Sequence, residues 1–235
     1  MNKLCILTHG RTGSTLFINL LQNTNQVFAL SEINQIDYTT NHYDVINQDG
    51  ILYKDKEILK SIAELSYEDY IKQYLNIAEK YSDTFVYKIV LGENYEEDLK
   101  LKILLLETLG FRFLILTRNF LDMFVSNKKA SITGKYSNED YTATKIFFSF
   151  YELRDFIDYA QKELLWMINN TPIKSCVTNY ETLFTNIEPH IQLKAIADLL
   201  NKVFNETKYT DLTLKDLTKI NKKQNTIVKD VIYGY

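Results

Sequence analysis

The chain has 235 residues, of which 46% are hydrophobic and 24% are charged, and its formal net charge is −3. A chain of this length and composition buries a sizeable core, which excludes intrinsic disorder for most of it. Proteins that bind nucleic acid usually carry a basic surface, so we expect no nucleic acid partner, whereas a small anionic ligand needs only a few local cations.

The sequence predicts neither a targeting segment nor a membrane span. The apolar run at the N terminus is interrupted by His9, Gly10 and Arg11 and is too short for the core of a signal peptide. No stretch approaches the roughly 18 apolar residues of a spanning helix. Cys5 and Cys176 lie in apolar runs and are predicted to be reduced, buried thiols. These features predict a cytoplasmic protein.

Short apolar runs alternate with segments of helical periodicity along the whole chain. This alternation predicts a parallel sheet with helices on both faces, which is a three-layer α/β fold of the P-loop-like kind. The predicted strands are 3–8, 27–30, 84–91, 111–117 and 173–179, and the predicted helices are 13–21, 56–81, 96–108, 119–130, 142–169 and 188–204.

We predict a single domain over residues 1–235. The sequence contains no internal repeat and no linker rich in glycine, proline or serine. Residues 34–54 are polar and irregular, which is typical of a functional loop or lid. They begin a region at about residues 34–83 that we interpret as an insertion into the domain. The sequence does not determine the oligomeric state, and a homodimer stays open.

The first predicted strand ends in a loop that suits a bound oxyanion. Gly10 and Gly13 permit the backbone turns that let amides converge, and the following helix adds unpaired N–H groups and a positive dipole end. Ser14 and Thr15 add hydroxyl donors, and Arg11 adds a fixed positive charge. Ligands of open parallel sheets bind at the carboxyl ends of strands, so the sequence predicts an anion site here.

This loop differs from the Walker A loop of nucleoside triphosphatases. It has neither the lysine nor the four-residue gap between glycines of G-x-x-x-x-G-K-[ST]. A Walker B strand ends in an acidic residue that manages Mg²⁺, but the most apolar predicted strand, FRFLILT, is followed by Arg118. The site is therefore predicted to bind phosphate or sulfate without a metal ion.

The same loop resembles the 5′-phosphosulfate loop of sulfotransferases that use 3′-phosphoadenosine 5′-phosphosulfate (PAPS). The family loop has the common form R-[ST]-G-S-T-x-L, and this chain has Arg11-Thr12-Gly13-Ser14-Thr15 followed by Leu and Phe. The resemblance implies that Gly10 and these five residues bind the 5′-phosphosulfate of the donor.

A second motif of that family is an apolar strand ending in arginine, with a serine eight residues later on a helix. Arg118 and Ser126 have this spacing. The resemblance implies that they bind the 3′-phosphate of PAPS and of the product 3′-phosphoadenosine 5′-phosphate (PAP). It covers residues 3–32 and 84–130, and more faintly 173–233, and it is strongest to the bacterial carbohydrate-type branch. Eight helical residues rise about 12 Å, so Arg118 is expected in the turn and Ser126 on the following helix.

Transfer of a sulfuryl group to an alcohol requires a base for the hydroxyl proton. The resemblance implies Glu32, which follows the second predicted strand. His9 is the alternative, because it lies in the loop and histidine titrates near neutrality, and Asp37 is a third candidate. Arg11 would stabilise charge that builds up on the sulfuryl and bridging oxygens.

Further contacts with the donor are implied by the resemblance. Tyr180 follows the last predicted strand, where the family often has a Tyr-Glu pair near the adenine, and aromatic rings contact bases well. Lys222 and Lys223 resemble a basic loop over the 3′-phosphate, although the usual arginine-glycine pattern is missing. Lys88 resembles a core-strand lysine of the family that assists the leaving phosphate or fixes a loop. Alternatively, it is an ordinary lysine of an edge strand.

The sequence therefore predicts a sulfotransferase that moves a sulfuryl group from PAPS to an acceptor hydroxyl, with a carbohydrate or a small glycosylated molecule as the first candidate acceptor. Two alternatives stay open. A kinase-like phosphotransferase on a related fold would require Mg²⁺ and an acidic residue at a strand end. A non-catalytic nucleotide-binding relative would bind PAP without turnover.

Overall fold

A computed structural model describes most of the chain. The described residues are 1–22, 24, 26–30, 66–80, 82–91, 96–134, 145–172, 175–184, 188–210 and 212.

Five of the described segments are strands, and they form one parallel sheet in the order β2-β3-β1-β4-β5. The strands are β1 (Asn2–His9), β2 (Phe28–Leu30), β3 (Thr84–Leu91), β4 (Arg112–Thr117) and β5 (Cys176–Asn179). The described helices are α1 (Ser14–Gln22), α2 (Tyr67–Ala78), α3 (Glu96–Thr108), α4 (Phe120–Thr133), α5 (Phe150–Asn170), α6 (Tyr180–Phe184) and α7 (Pro189–Phe204).

Side chains of the central strand β1 alternate between two apolar layers, as the period of two in a strand requires. Leu4 and Ile6 belong to the core cluster with α1, α6 and α7, whereas Cys5 and Leu7 belong to the cluster with α2, α3 and α5. Strands of a sheet that is covered on both faces are mostly apolar, and the central residues Leu4–Leu7 of β1 are accordingly a continuous apolar run. The predicted α/β fold, a central parallel sheet with helices on both faces, is confirmed.

The prediction for the long aromatic helix was wrong at its start. Residues 145–149 are not helical, and α5 begins at Phe150. The Ser149 hydroxyl accepts a hydrogen bond from the Glu152 amide, and the Glu152 carboxylate accepts one from the Ser149 amide. This capping box satisfies two donors that a longer helix would use internally, and it fixes the start of α5.

Two further differences from the prediction concern α6 and the cysteines. The short helix α6, which follows β5 directly, was not predicted. Both cysteines are free thiols, but Cys176 is only half-buried. Cys5 is fully buried, and this burial raises the pKa of its thiol well above the ordinary value.

The chain leaves β1 and β4 in opposite directions along the sheet. It runs from β1 to β2 near one edge, and from β4 to β5 at the other. Neighbouring strands whose connections diverge in this way leave a crevice at their carboxyl ends, where ligands of open parallel sheets bind. The loop after β1 and the residues after β4 meet at this crevice.

Within the described ranges, no helix is both long enough and apolar enough to cross a membrane. The single domain with an insertion at residues 34–83 stays a prediction, because residues 31–65 lie outside the described residues.

Candidate functional site

The loop that joins β1 to α1 contains two residues with a left-handed backbone. Arg11 has φ 68° and Gly13 has φ 84°. Glycine adopts this conformation freely, whereas a residue with a Cβ pays roughly 1–2 kcal/mol. A strained residue of this kind persists only where its surroundings hold it, and such residues cluster at functional sites.

Two buried threonines support the loop from beneath. The Thr12 hydroxyl donates to the carbonyl oxygen of His9 at 3.1 Å and contacts the hydroxyl of Thr8. The Thr8 hydroxyl lies 3.1 Å from the carbonyl oxygen of Leu116 in β4. Both threonines are fully buried. Their hydrogen bonds connect the loop to the sheet.

Arg11 joins the two motifs that the sequence singles out. Its Nε atom donates to the Ser126 hydroxyl at 3.0 Å, and its carbonyl oxygen accepts from Arg118 Nη1 at 3.4 Å. Arg118 lies between β4 and α4, and Ser126 lies in the second turn of α4, as their spacing predicts. Arg11 and Arg118 therefore both contribute to the crevice, and their charges give it the positive potential that an anion requires.

The guanidinium group of Arg118 lies over the ring of Tyr180, with its central carbon 4.5 Å from the ring centroid. The Nε atom of Arg118 is buried and has no hydrogen-bond partner among the described residues. A buried N–H group without a partner is costly, so an acceptor from a ligand would stabilise this position. Burial raises the pKa of the Tyr180 hydroxyl, and the nearby Arg118 charge opposes that rise.

The same ring packs against the loop. A Cβ added at Gly13 would come within 2.3 Å of two carbons of the Tyr180 ring, so no larger residue fits there without a shift. Tyr180 also contacts Phe184, at 4.8 Å between ring centroids. Tyr180, predicted to lie near the adenine, thus lies between the loop and Arg118.

Two carboxylates flank Arg118. Glu181 accepts a hydrogen bond from the backbone amide of Asn119 at 3.0 Å, and the Asn119 side chain caps α4. Burial raises the pKa of the Asp122 carboxyl; the Arg118 charge lowers it and Glu181 raises it further. These two acids moderate the positive charge of the crevice.

Lys88 is buried in β3, with 1% of its surface exposed, and its Nζ atom donates to the Thr15 hydroxyl at 2.9 Å. The strand lies between β2 and β1, so the interpretation of Lys88 as an edge-strand lysine was wrong. Its contact with the first turn of α1 places a buried cation beneath the predicted phosphate loop.

His9 contacts a carboxylate that the sequence analysis did not single out. Its Nε2 atom lies 3.0 Å from Oε2 of Glu163 in α5, and its Nδ1 atom lies 2.7 Å from the carbonyl oxygen of Gly10. Phe156, Ala160, Glu163 and Met167 share one face of α5, so a carboxylate within an otherwise apolar helical stripe was a signal in the sequence.

Several predicted residues lie outside the described residues. Glu32, Asp37, Lys222 and Lys223 are among them, and their roles stay predictions. Within the part of the chain that the structure describes, no group of three or more His, Cys, Asp or Glu side chains could hold a metal ion.

No protein-family model matches this sequence, and no curated protein matches it significantly. Among solved structures, a sulfotransferase domain from the curacin biosynthetic pathway is similar over 98% of this chain and 87% of that chain, with 13% identity and a TM-score of 0.48. Retinol dehydratase, solved in complex with androsterone and the inactive cofactor PAP, is similar over 89% of this chain and 64% of that chain, with 12% identity and a TM-score of 0.36. Neither likeness identifies a ligand or a reaction for this chain.

Proposed function

We propose that this protein is a sulfotransferase that binds PAPS at the crevice between β1 and β4 and transfers its sulfuryl group to an acceptor hydroxyl. The observation that carries the proposal is the hydrogen bond between Arg11 and Ser126. It joins the R-T-G-S-T loop to the arginine-serine motif, so the two motifs that the resemblance assigns to the 5′-phosphosulfate and the 3′-phosphate lie close together.

The residues of the crevice suit a ligand with separate anionic groups. The loop with Arg11 and the start of α1 would hold the 5′-phosphosulfate, because its amides and charge favour an oxyanion. Arg118 would hold the 3′-phosphate, and the buried Nε atom without a described partner fits this role. Tyr180 lies against Gly13 and Arg118 and would contact the nucleoside. The ligand would be bound without a metal ion.

PAPS would supply the sulfuryl group, the acceptor oxygen forming a bond to sulfur as the bond from sulfur to the bridging phosphate oxygen breaks. Arg11 and the loop amides would stabilise the charge on these oxygens. Lys88 donates to Thr15 and would thereby hold the first turn of α1 close to the sulfuryl and bridging oxygens. Glu32 is the residue proposed to take the acceptor proton, and a sugar hydroxyl is the acceptor that we propose to test first.

A ligand that binds only the native state raises its melting temperature, which gives a direct test. We expect PAP to stabilise the protein in buffer that contains EDTA, and ATP with Mg²⁺ to stabilise it much less. Stabilisation by ATP with Mg²⁺ that exceeds that by PAP would favour a kinase-like phosphotransferase and overturn the proposal. Radiolabelled PAPS offered with a panel of sugars then tests turnover, and PAP binding with no transfer to any acceptor would favour a non-catalytic relative.

A further inference from the structure

The pair formed by His9 and Glu163 has no role in the function proposed above. His9 is the last residue of β1, and Glu163 lies in the middle of α5, on a helix that contributes no residue to the predicted motifs. Both side chains are largely buried, with 14% and 11% of their surfaces exposed. An ion pair shielded from water in this way interacts more strongly than one on the surface.

Each nitrogen of the His9 ring lies close to an oxygen atom. Nδ1 lies 2.7 Å from the Gly10 carbonyl oxygen, and Nε2 lies 3.0 Å from Glu163 Oε2. A neutral imidazole has one N–H group and cannot donate to both, whereas the protonated ring donates from both nitrogens. When the ring is protonated, His9 forms an ion pair with the Glu163 carboxylate and donates to the Gly10 carbonyl oxygen.

Glu163 is held by α5 itself. Its other oxygen, Oε1, accepts a hydrogen bond from the Tyr159 hydroxyl at 2.5 Å. The rings of Phe156 and Tyr159 lie edge-on to the His9 ring, at 5.8 Å and 5.6 Å between centroids. Oε2 of Glu163 is buried and makes no hydrogen bond among the described residues, so its 3.0 Å contact with His9 Nε2 is an interaction of charges.

The contact between His9 and the Gly10 carbonyl oxygen lies next to Arg11, the residue with a left-handed backbone. The Gly10–Arg11 peptide bond is trans, so fixing the Gly10 carbonyl oxygen also fixes the opposite direction of the Arg11 amide N–H. On the other side of Arg11, its carbonyl oxygen is held by Arg118. Both peptide groups that flank the residue with φ 68° are thus held by side chains.

We propose that Glu163 is a positioning residue that acts through His9 to orient the Gly10–Arg11 peptide group for the 5′-phosphosulfate of the donor. This role rests on the proposed function. It differs from a role as general base, in which His9 itself would take the acceptor proton. The charged or titratable side chains described here that face His9 from α5 are Glu163 and Tyr159.

The affinity for PAP, measured by calorimetry between about pH 6 and pH 8, tests the proposal, because histidine changes charge in this range. Glu163→Ala should weaken PAP binding about tenfold, because the His9 ring loses the carboxylate that positions it against Gly10. Glu163→Gln keeps the shape, and its amide can donate to a neutral His9 ring that still donates to Gly10. Its affinity should therefore fall less with rising pH than that of the unaltered chain.

The ligand's own phosphates also titrate near pH 6, and the comparison between the two proteins cancels this contribution. Asp155→Asn, an exposed carboxylate on the same helix, serves as the matched control and should bind PAP like the unaltered chain. Melting temperatures show which variants are folded. In turnover assays the KM for PAPS should rise in Glu163→Ala while kcat changes little, since the proposed role concerns the donor.

The outcomes separate the two proposals. Absence of PAP binding to the unaltered chain would overturn the proposed function and this inference with it. Normal PAP binding by the unaltered chain, with unchanged affinity in folded Glu163→Ala, would overturn the inference alone. An identical pH profile for the unaltered chain and Glu163→Gln would also overturn it, because the carboxylate would then not determine the form of His9 that the loop requires.

Discussion

The ring of Tyr180 lies directly against the backbone of Gly13, where an added Cβ would meet two ring carbons at 2.3 Å. Gly13 also has φ 84°, so two separate physical reasons require glycine at this position. The contact connects the loop after β1 to the residue that follows β5, and it lets one aromatic ring touch both the loop and Arg118.

Gly110 allows the effect of the left-handed backbone to be measured without the effect of the close ring. It has φ 80°, and nothing lies within 4 Å of an added Cβ. Gly110→Ala should lower the free energy of unfolding by roughly 1–2 kcal/mol, the cost of a left-handed residue. Gly13→Ala should cost about 1–3 kcal/mol more because of the added overlap with Tyr180, and it should weaken PAP binding. Urea unfolding of both variants checks this. Equal losses would show that the ring moves aside at no cost.

Arg118→Ala should weaken the binding of PAP about 10- to 100-fold, since a charge-assisted hydrogen bond is worth roughly 1.5–3 kcal/mol. Adenosine 5′-phosphosulfate lacks the 3′-phosphate, so its affinity should change little, and Ser126→Ala should follow the same pattern. Arg154→Ala, which removes an exposed arginine on α5, is the control for a change in total charge. Calorimetry with both ligands measures the difference.

Because the Ser126 hydroxyl accepts a hydrogen bond from Arg11, a second outcome for Ser126→Ala is informative. Equal weakening of both ligands would mean that Ser126 orients the loop arginine and does not contact the 3′-phosphate. The same result for Arg118→Ala would mean that its contact with the Arg11 carbonyl oxygen, and not a contact with the 3′-phosphate, determines the affinity.

Glu32→Gln should bind PAP with nearly unchanged affinity and turn over about 10² to 10⁴ times more slowly, as removal of a general base does. His9→Asn should lose donor affinity and show the milder loss of kcat. Steady-state kinetics with a responsive acceptor, together with PAP calorimetry, measures both effects. An inactive His9 variant beside an active Glu32 variant would transfer the role of base to His9.

The raised pKa of Asp122 predicts a pH dependence of stability. A carboxyl whose pKa is higher in the folded than in the unfolded chain binds its proton more tightly when folded. Its contribution to stability is therefore lost as the pH rises from about 3.9 through the folded-state pKa. The melting temperature of Asp122→Asn, relative to the unaltered chain, should rise across this window and then level off. A difference that falls with pH would contradict the direction of the shift.

Sequence periodicity was sufficient to predict the bounds of those strands and helices whose ends are determined by neighbouring residues. The bounds of β3 and α3 agree with the prediction, because a run that is apolar except for Thr84 and Lys88 defines β3, and Gly110 in a left-handed conformation follows α3. The start of α5 depends on the reciprocal hydrogen bonds of Ser149 and Glu152, and the prediction instead extended the aromatic periodicity through them.

The contacts that build the candidate site depend on tertiary structure. Sequence spacing predicted Arg118 in a turn and Ser126 on a helix, but nothing local indicates that Ser126 contacts Arg11. The ion pair of His9 with Glu163 likewise joins segments far apart in the chain. Such pairs are decided by how α4 and α5 pack on the sheet, which the periodicity of one helix does not determine.

The central position of β1 has a consequence for the order in which the sheet forms during synthesis. β1 emerges from the ribosome first, yet its partners are β3, through Asn2 and Thr84, and β4, through Leu4 and Arg112. Parallel pairings over such long separations form slowly, because the chain loses loop entropy before it gains contacts. Until β4 has been made, the nascent strand has at least one edge of unpaired backbone N–H and C=O groups and carries apolar side chains on both faces. Chains arrested before Arg112 should therefore be the most prone to aggregate.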